Sequence, residues 1–167
     1  MEDRFFPTSY NASKRVAYGA GIDGCMQLTV DETRMGGPFF NGGIATRNNR
    51  IGGHISSIDM TTGKVKVVRP LDYPVYSGVL ATAGGLVFTA TVDGTITAFD
   101  DEELQPLWSF NVGTTICAPP MSYSVGGKQF VAIHVGGGIP WNIGILKGTP
   151  ELHSHEGGSS LFVFALD

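Results

Sequence analysis

The feature that most constrains the fold is an internal repeat. The heptapeptide Gly53–Asp59 (GHISSID) matches the heptapeptide Gly94–Asp100 (GTITAFD) position by position, and the two copies begin 41 positions apart. Each copy has the order glycine, polar, apolar, polar, small, apolar, aspartate, and leads through a turn into another strand. A period of about 40–50 residues with several short strands per unit is typical of β-propeller blades. We therefore predict repeat units near residues 53–93 and 94–135.

Short runs of β-branched and aromatic residues fill much of the chain. The 24 glycines and 9 prolines lie between them without a strict period, and no stretch shows a sustained helical period. Residues 136–157 have the composition of a loop insertion, and residues 158–167 are predicted as a closing strand of a third, weaker copy. The main predicted strands are Val16–Ala20, Ile55–Asp59, Val65–Val68, Leu86–Ala90, Thr95–Phe99, Leu107–Phe110, Phe130–His134 and Leu161–Phe164.

Two repeat units and a fraction of a third do not close a ring. An open propeller leaves strand edges unpaired and apolar blade faces in contact with water. We therefore expect the remaining propeller blades to come from the same polypeptide or from a partner chain.

The charge balance argues against several partners. The net charge is −4, no basic stripe is present, and no apolar run reaches the roughly 18 residues of a membrane span, so neither nucleic acid nor a membrane span is expected. The N-terminal segment 1–7 lacks the basic start and apolar core of a signal peptide. Alone, that indicates a cytoplasmic protein, but a segment that starts in mid-chain would look the same. Cys25 and Cys117 are separated and are both expected to be buried thiols.

An ordered series of motifs resembles one family. The run Ser77–Thr89 (SGVLATAGGLVFT), its continuation to Asp100, and Leu107-Trp108 are similar to the penultimate-blade sequence of the PQQ-dependent (quinoprotein) alcohol dehydrogenases. Further matches are Ser9–Asn11, Gly24–Met26, Ala118–Pro120, Gly126–Ala132 and Leu161–Leu166. The resemblance implies an all-β fold, a partial β-propeller of about two to three four-stranded blades out of eight. Residues 1–167 would then be the C-terminal part of the propeller domain.

The resemblance also implies an activity. Members of the family are periplasmic enzymes that oxidise alcohols to aldehydes or ketones with pyrroloquinoline quinone (PQQ) and pass electrons to a c-type cytochrome. A bound Ca²⁺ or lanthanide polarises the quinone, and an Asp acts as general base. The metal ligands, the catalytic Asp and the adjacent cysteines of the family lie upstream of this segment. We therefore assign no catalytic or metal-binding residue here and expect the segment alone to be inactive.

Three residues are candidates for cofactor contact by that resemblance. Tyr76 stands where many members have Trp, Asp23 stands where members often have a polar residue near the quinone, and Trp141 lies in the glycine-rich loop that the family brings close to the cofactor. The alternatives are blade packing for Tyr76 and a turn carboxylate for Asp23. Trp108 is expected to pack between blades rather than against the cofactor. His153 and His155 have no third ligand besides Glu156, which favours a solvated loop over a metal site.

Two other functions remain open. One is a non-catalytic quinoprotein-like propeller that serves as a scaffold for protein binding, similar to the outer-membrane assembly lipoprotein. The other is a ring closed by several copies of this chain, without redox chemistry. The match to the dehydrogenase blade sequence favours the enzyme, whereas the missing active-site residues keep both alternatives in place.

Overall fold

A computed structural model describes residues 6–25, 27–30, 43–46, 50–136, 149, 151–152 and 158–165. All regular secondary structure in these residues is β-strand, which confirms the predicted all-β fold. In chain order the strands are β1 (Ser9–Asn11), β2 (Val16–Asp23), β3 (Gln27–Val30), β4 (Gly43–Thr46), β5 (Gly52–Asp59), β6 (Lys64–Leu71), β7 (Val75–Ala81), β8 (Leu86–Thr91), β9 (Thr95–Asp100), β10 (Pro106–Asn111), β11 (Met121–Val125), β12 (Lys128–Gly136) and β13 (Ser159–Ala165).

The strands form three larger antiparallel sheets. The first sheet has the order β1-β2-β5-β6, the second β10-β9-β8-β7 and the third β11-β12-β13. Within each of these sheets, strands that follow each other in the chain are neighbours, except that the separate hairpin of β3 and β4 lies between β2 and β5 in the chain. Short connections between antiparallel neighbours produce the up-and-down sheet of a propeller blade. Two sheets have the predicted four strands, and the third has three among the residues described.

The repeated heptapeptide marks the third strand of each sheet. The copy that starts at Gly53 lies in β5, the copy that starts at Gly94 leads into β9, and the weaker third copy lies in β13. A repeat unit counted from Gly53 therefore begins in one sheet and ends in the next. The 41-residue spacing of the repeat does not depend on which strand is taken as the start of a unit.

Successive sheets stack face to face. Alternate side chains of the second sheet point to its two faces, so this sheet packs against a neighbour on each side. On one side its Val79, Val87 and Phe99 pack against Tyr18 and Ile55 of the first sheet. On the other side two further clusters join the second and third sheets, formed by Phe88, Ala98 and Val131, and by Ala90, Ile96, Ile116, Ile133 and Val135. Each fully buried Val, Ile or Phe contributes about 1.5–3 kcal/mol, so these clusters supply much of the stability.

A polar contact joins the first two sheets at one end of their strands. The Nζ atom of Lys14 lies 2.8 Å from Asp101 Oδ1 and 3.1 Å from Glu102 Oε1. The buried hydroxyl of Tyr18 donates a hydrogen bond to the backbone oxygen of Asp101 at 2.8 Å. The hydrogen bond to Asp101 and then that to Glu102 raise the pKa of Lys14, so the amine stays charged. The turn that follows β9 is thereby attached to the first sheet.

The aspartates that end the two repeats organise their turns. Asp100 accepts hydrogen bonds from the backbone N–H groups of Glu102, Glu103 and Gln105 at 3.0, 2.7 and 2.6 Å. Partial burial raises the pKa of Asp100, but the three N–H donors outweigh it and the net pKa is lowered. Asp59 likewise accepts from two backbone N–H groups, chiefly that of Thr61, and its pKa is lowered. Each aspartate therefore stabilises the turn that follows its strand.

Aromatic side chains join β10 to β13. The ring of Trp108 meets the ring of Phe164 edge to face, with 5.1 Å between centroids. Phe110 meets the same ring at 5.5 Å. Trp108 therefore packs between the second and third sheets, as predicted, although 41% of its surface remains exposed.

The outer face of the third sheet has no partner among the described residues. The five large side chains on this face are 42–62% exposed, namely Met121, Tyr123, Val125, Leu161 and Val163. Contiguous exposed apolar surface of this kind marks an interaction site. A separate search for a long apolar helix that could cross a membrane finds none in the described parts of the chain.

We predict that Gly94→Ala destabilises the chain more than Gly113→Ala. Both glycines have positive φ angles, +90° and +78°, which cost an alanine roughly 1 kcal/mol. Only at Gly94 would a Cβ atom also meet backbone, 2.5 Å from the carbonyl oxygen of Thr114, whereas nothing lies within 4 Å at Gly113. Urea unfolding of both variants measures the difference. Equal losses would contradict the predicted close approach at Gly94.

We predict that Asp100→Ala lowers the urea midpoint at pH 7, and that the loss shrinks in acid. The folded pKa of Asp100 lies below its usual 3.8, so its carboxylate stabilises the fold above that pH and ceases to do so as pH falls through the folded pKa. The exposed Asp72 provides the control, since Asp72→Ala removes the same charge without removing a hydrogen bond to another described residue. A loss at pH 2 as large as that at pH 7 would argue against the predicted amide–carboxylate bonds.

Candidate functional site

An apolar cluster fills the end of the first two sheets where β2 ends and β7 begins. Ile22, Ile51, Tyr76 and Val92 are its buried members, and we call it the Tyr76 cluster. The partly buried side chains that pack against it are Phe6, Tyr73, Cys117 and Leu152. Asp23 follows Ile22 directly and is the last residue of β2. Two of the three predicted cofactor residues, Asp23 and Tyr76, therefore lie at the same end of the sheets.

Tyr76 is enclosed by its neighbours. It is the second residue of β7 and only 7% exposed. The ring of Phe6 meets it edge to face, with 5.2 Å between centroids and an interplanar angle of 74°. In the described residues Tyr76 thus forms part of an apolar wall and exposes little of its ring surface.

Asp23 is paired rather than free. Both carboxylate oxygens lie close to Nδ1 of His54, at 2.9 and 3.0 Å. The Asp23 side chain is 54% exposed, whereas that of His54 is 11% exposed. The largely buried ring of His54 therefore holds the carboxylate of Asp23, which faces solvent and can accept further hydrogen bonds. No local sequence pattern identifies His54, because strand pairing brings it to Asp23 from a distant part of the chain.

A second polar group lies beside the same cluster. The guanidinium of Arg50 lies 3.2 Å from Glu151 Oε1 and 5.1 Å above the ring of Tyr73. The Tyr73 hydroxyl also donates to Glu151 Oε1, at 3.3 Å. No sequence motif links these three residues. Glu151 lies 78 positions after Tyr73, and the fold brings the two side chains together. The group places a half-exposed cation next to Ile51 of the Tyr76 cluster.

The two cysteines differ. Cys117 packs against the Tyr76 cluster, and burial raises the pKa of its thiol to about 11, so it remains protonated at neutral pH. The expectation that Cys25 is also buried was wrong, because Cys25 follows the end of β2 and is exposed.

The remaining candidates are not placed together with these residues. Trp141, His153 and His155 lie outside the described residues, as does most of the predicted insertion 136–157. His134 is exposed on β12. Within the described parts of the chain no group of three His, Cys, Asp or Glu side chains could hold a metal ion.

The polar groups at this end fit the edge of an anionic, aromatic cofactor in kind. Arg50 carries a cation that is paired with Glu151 at 3.2 Å, Asp23 offers a hydrogen-bond acceptor, and the Tyr76 cluster offers an apolar wall. No nucleophile–base pair or set of metal ligands accompanies them in the residues described. The arrangement can therefore bind and orient, but it holds no complete catalytic set.

Comparisons with known proteins identify the family of the chain. A model of the PQQ glucose/ethanol/alcohol dehydrogenase β-propeller domain matches residues 31–131. The quinoprotein alcohol dehydrogenase PedE of Pseudomonas putida is 36% identical over 68% of the chain and 18% of its own length. Methanol dehydrogenase [cytochrome c] subunit 1 of Paracoccus denitrificans is 33% identical over 77% of the chain and 23% of its own length. The chain thus spans about a fifth of the length of these relatives.

Solved structures show the same fold. The quinohemoprotein alcohol dehydrogenase of Comamonas testosteroni superposes with a TM-score of 0.77 at 22% identity, over 96% of this chain and 25% of that one. A europium-containing methanol dehydrogenase superposes with a TM-score of 0.75 at 24% identity, over 96% of this chain and 32% of that one. This likeness confirms the predicted partial β-propeller. Because the family model matches more than half of the sequence, the chain belongs to the PQQ-type glucose, ethanol and alcohol dehydrogenase β-propeller family.

Proposed function

We propose that the chain forms the C-terminal blades of a periplasmic PQQ-dependent alcohol dehydrogenase that passes electrons to a c-type cytochrome. The observation that supports this most strongly is the family match over residues 31–131. The relatives cited are alcohol and methanol dehydrogenases, one of them named for cytochrome c. The stacked sheets supply the blade architecture that such an enzyme needs.

The exposed faces support a role as part of a larger propeller. The outer face of the third sheet presents Met121, Val125 and Leu161 at 53%, 62% and 59% exposure. Within the chain, equivalent faces are covered by the next sheet. Further blades would cover this face in the same way, and they would also bring the catalytic base and the ligands of the Ca²⁺ or lanthanide ion.

The chain's own residues would contribute binding. PQQ, when bound, supplies the two-electron oxidation of the alcohol to an aldehyde or ketone. Asp23 would accept a hydrogen bond at the cofactor's edge, Tyr76 would form the apolar wall behind it, and Trp141 would approach from the glycine-rich loop. Arg50 would attract the cofactor's carboxylates through its guanidinium. Without the base and the metal ligands, the segment alone would be inactive.

The first test compares the chain alone with a complete propeller. With PQQ and Ca²⁺ added, we expect the purified chain to show no dye-linked alcohol oxidation. We expect PQQ-dependent oxidation when the chain replaces the matching segment of PedE, and we call this protein the grafted propeller. Activity of the chain alone would refute its proposed inactivity. Failure of the grafted propeller to bind PQQ, with light scattering showing a closed oligomer of the isolated chain, would favour a scaffold.

The second test removes one carboxylate at a time from the grafted propeller. We expect Asp23→Ala to weaken PQQ binding about tenfold, the scale of one lost charge-assisted hydrogen bond. Asp72→Ala removes the same charge from an exposed position outside the Tyr76 cluster and should leave binding unchanged. Equilibrium dialysis with PQQ measures both. Equal effects of the two variants would count against contact between Asp23 and the cofactor.

A further inference from the structure

The ring of His54 lies across a glycine on the neighbouring strand. Gly21 of β2 and His54 of β5 are directly opposite each other in the antiparallel pair. A Cβ atom at position 21 would overlap the imidazole, with Cε1 in direct clash and Nε2 at 2.8 Å. Only glycine leaves the space that this ring occupies. The position of the ring therefore depends on the residue at 21.

Strand geometry then directs the ring to Asp23. Residues two apart on a strand share a face, so Gly21 and Asp23 present the same side of β2. A long side chain can reach the diagonal neighbour of its cross-strand partner, and His54 does so across the bare surface of Gly21. The three residues form one unit, which we call the Gly21–His54–Asp23 unit.

The hydrogen-bond chemistry fixes the tautomer of the ring. An ionised carboxylate only accepts hydrogen bonds, so the hydrogen lies on Nδ1 of His54. Because both Asp23 oxygens are within 3.0 Å of this single nitrogen, the carboxylate plane is held facing the ring. The Asp23 side chain is nevertheless 54% exposed, which leaves its outer lone pairs available to a ligand.

We propose that His54 is a positioning residue, which orients the Asp23 carboxylate to accept a hydrogen bond at the edge of the cofactor. This inference rests on the proposed function. PQQ has three carboxylates, so an unrestrained anionic side chain beside it would repel the cofactor. The Nδ1–H group of His54 draws the Asp23 charge toward the ring and so reduces this repulsion.

The first experiment needs no cofactor. Nitrogen-15 NMR of the full chain reports which ring nitrogen of each histidine bears the hydrogen. We expect His54 to show the Nδ1–H form, and we expect Asp23→Ala or Gly21→Ala to convert it to the Nε2–H form usual in water. The exposed His134 on β12 is the internal reference and should not change. An unchanged His54 tautomer in both variants would overturn the proposed unit.

The second experiment separates positioning from packing in the grafted propeller. His54→Phe keeps the ring but removes the donor, and we expect PQQ to bind about tenfold more weakly, by equilibrium dialysis. His54→Asn places an amide N–H near the position of Nδ1 and should restore most of the affinity, although it packs less well. His134→Phe is the matched control and should leave the affinity unchanged. Thermal unfolding of each variant reports packing independently.

The outcomes distinguish this inference from the proposed function. If the parent grafted propeller binds no PQQ, the proposed function fails and this inference fails with it. If the parent binds PQQ and His54→Phe binds it equally well, only the positioning role of His54 is overturned. A loss of affinity that follows the loss of thermal stability, without rescue by His54→Asn, also overturns it. Rescue by His54→Asn supports it.

Discussion

The structure depends on the burial of both faces of the second sheet. Alternate side chains send Phe99 toward the first sheet and Ile96 toward the third, and neither side chain has more than 2% of its surface exposed. A sheet with two apolar faces is stable only between two others, so each blade requires the next. The same requirement explains the bare outer face of the third sheet.

Polar contacts at the two ends of the strands have different roles. At one end Asp100 binds three backbone amides, and Lys14 attaches the following turn to the first sheet through Asp101. These contacts hold the turn after β9 against the first sheet. At the other end the polar groups of Asp23 and Arg50 are half exposed around an apolar cluster. The contacts at the first end therefore stabilise the turns, whereas the second end leaves charged side chains half exposed to solvent.

Much of the fold could be predicted, because its determinants are local. The repeat of Gly53–Asp59 predicted the period, and the alternation in Thr95–Phe99 predicted a strand with two distinct faces. Short strands such as β1 and β11, and the hairpin of β3 and β4, were not predicted as strands. Pairing with the longer strands β2 and β12 stabilises β1 and β11, whereas β3 and β4 pair with each other.

The residues of the candidate site could be predicted only in part from the sequence. Tyr76 and Asp23 were found through resemblance, but His54 was not, since a histidine in a strand has no local mark of its partner. Its contact with Asp23 requires the register of β2 with β5 and the bare surface of Gly21. By itself, then, the sequence determined the repeat, the strand alternation and the family. Only the tertiary structure decided which side chains meet, because those contacts come from pairing and stacking between residues far apart in the chain.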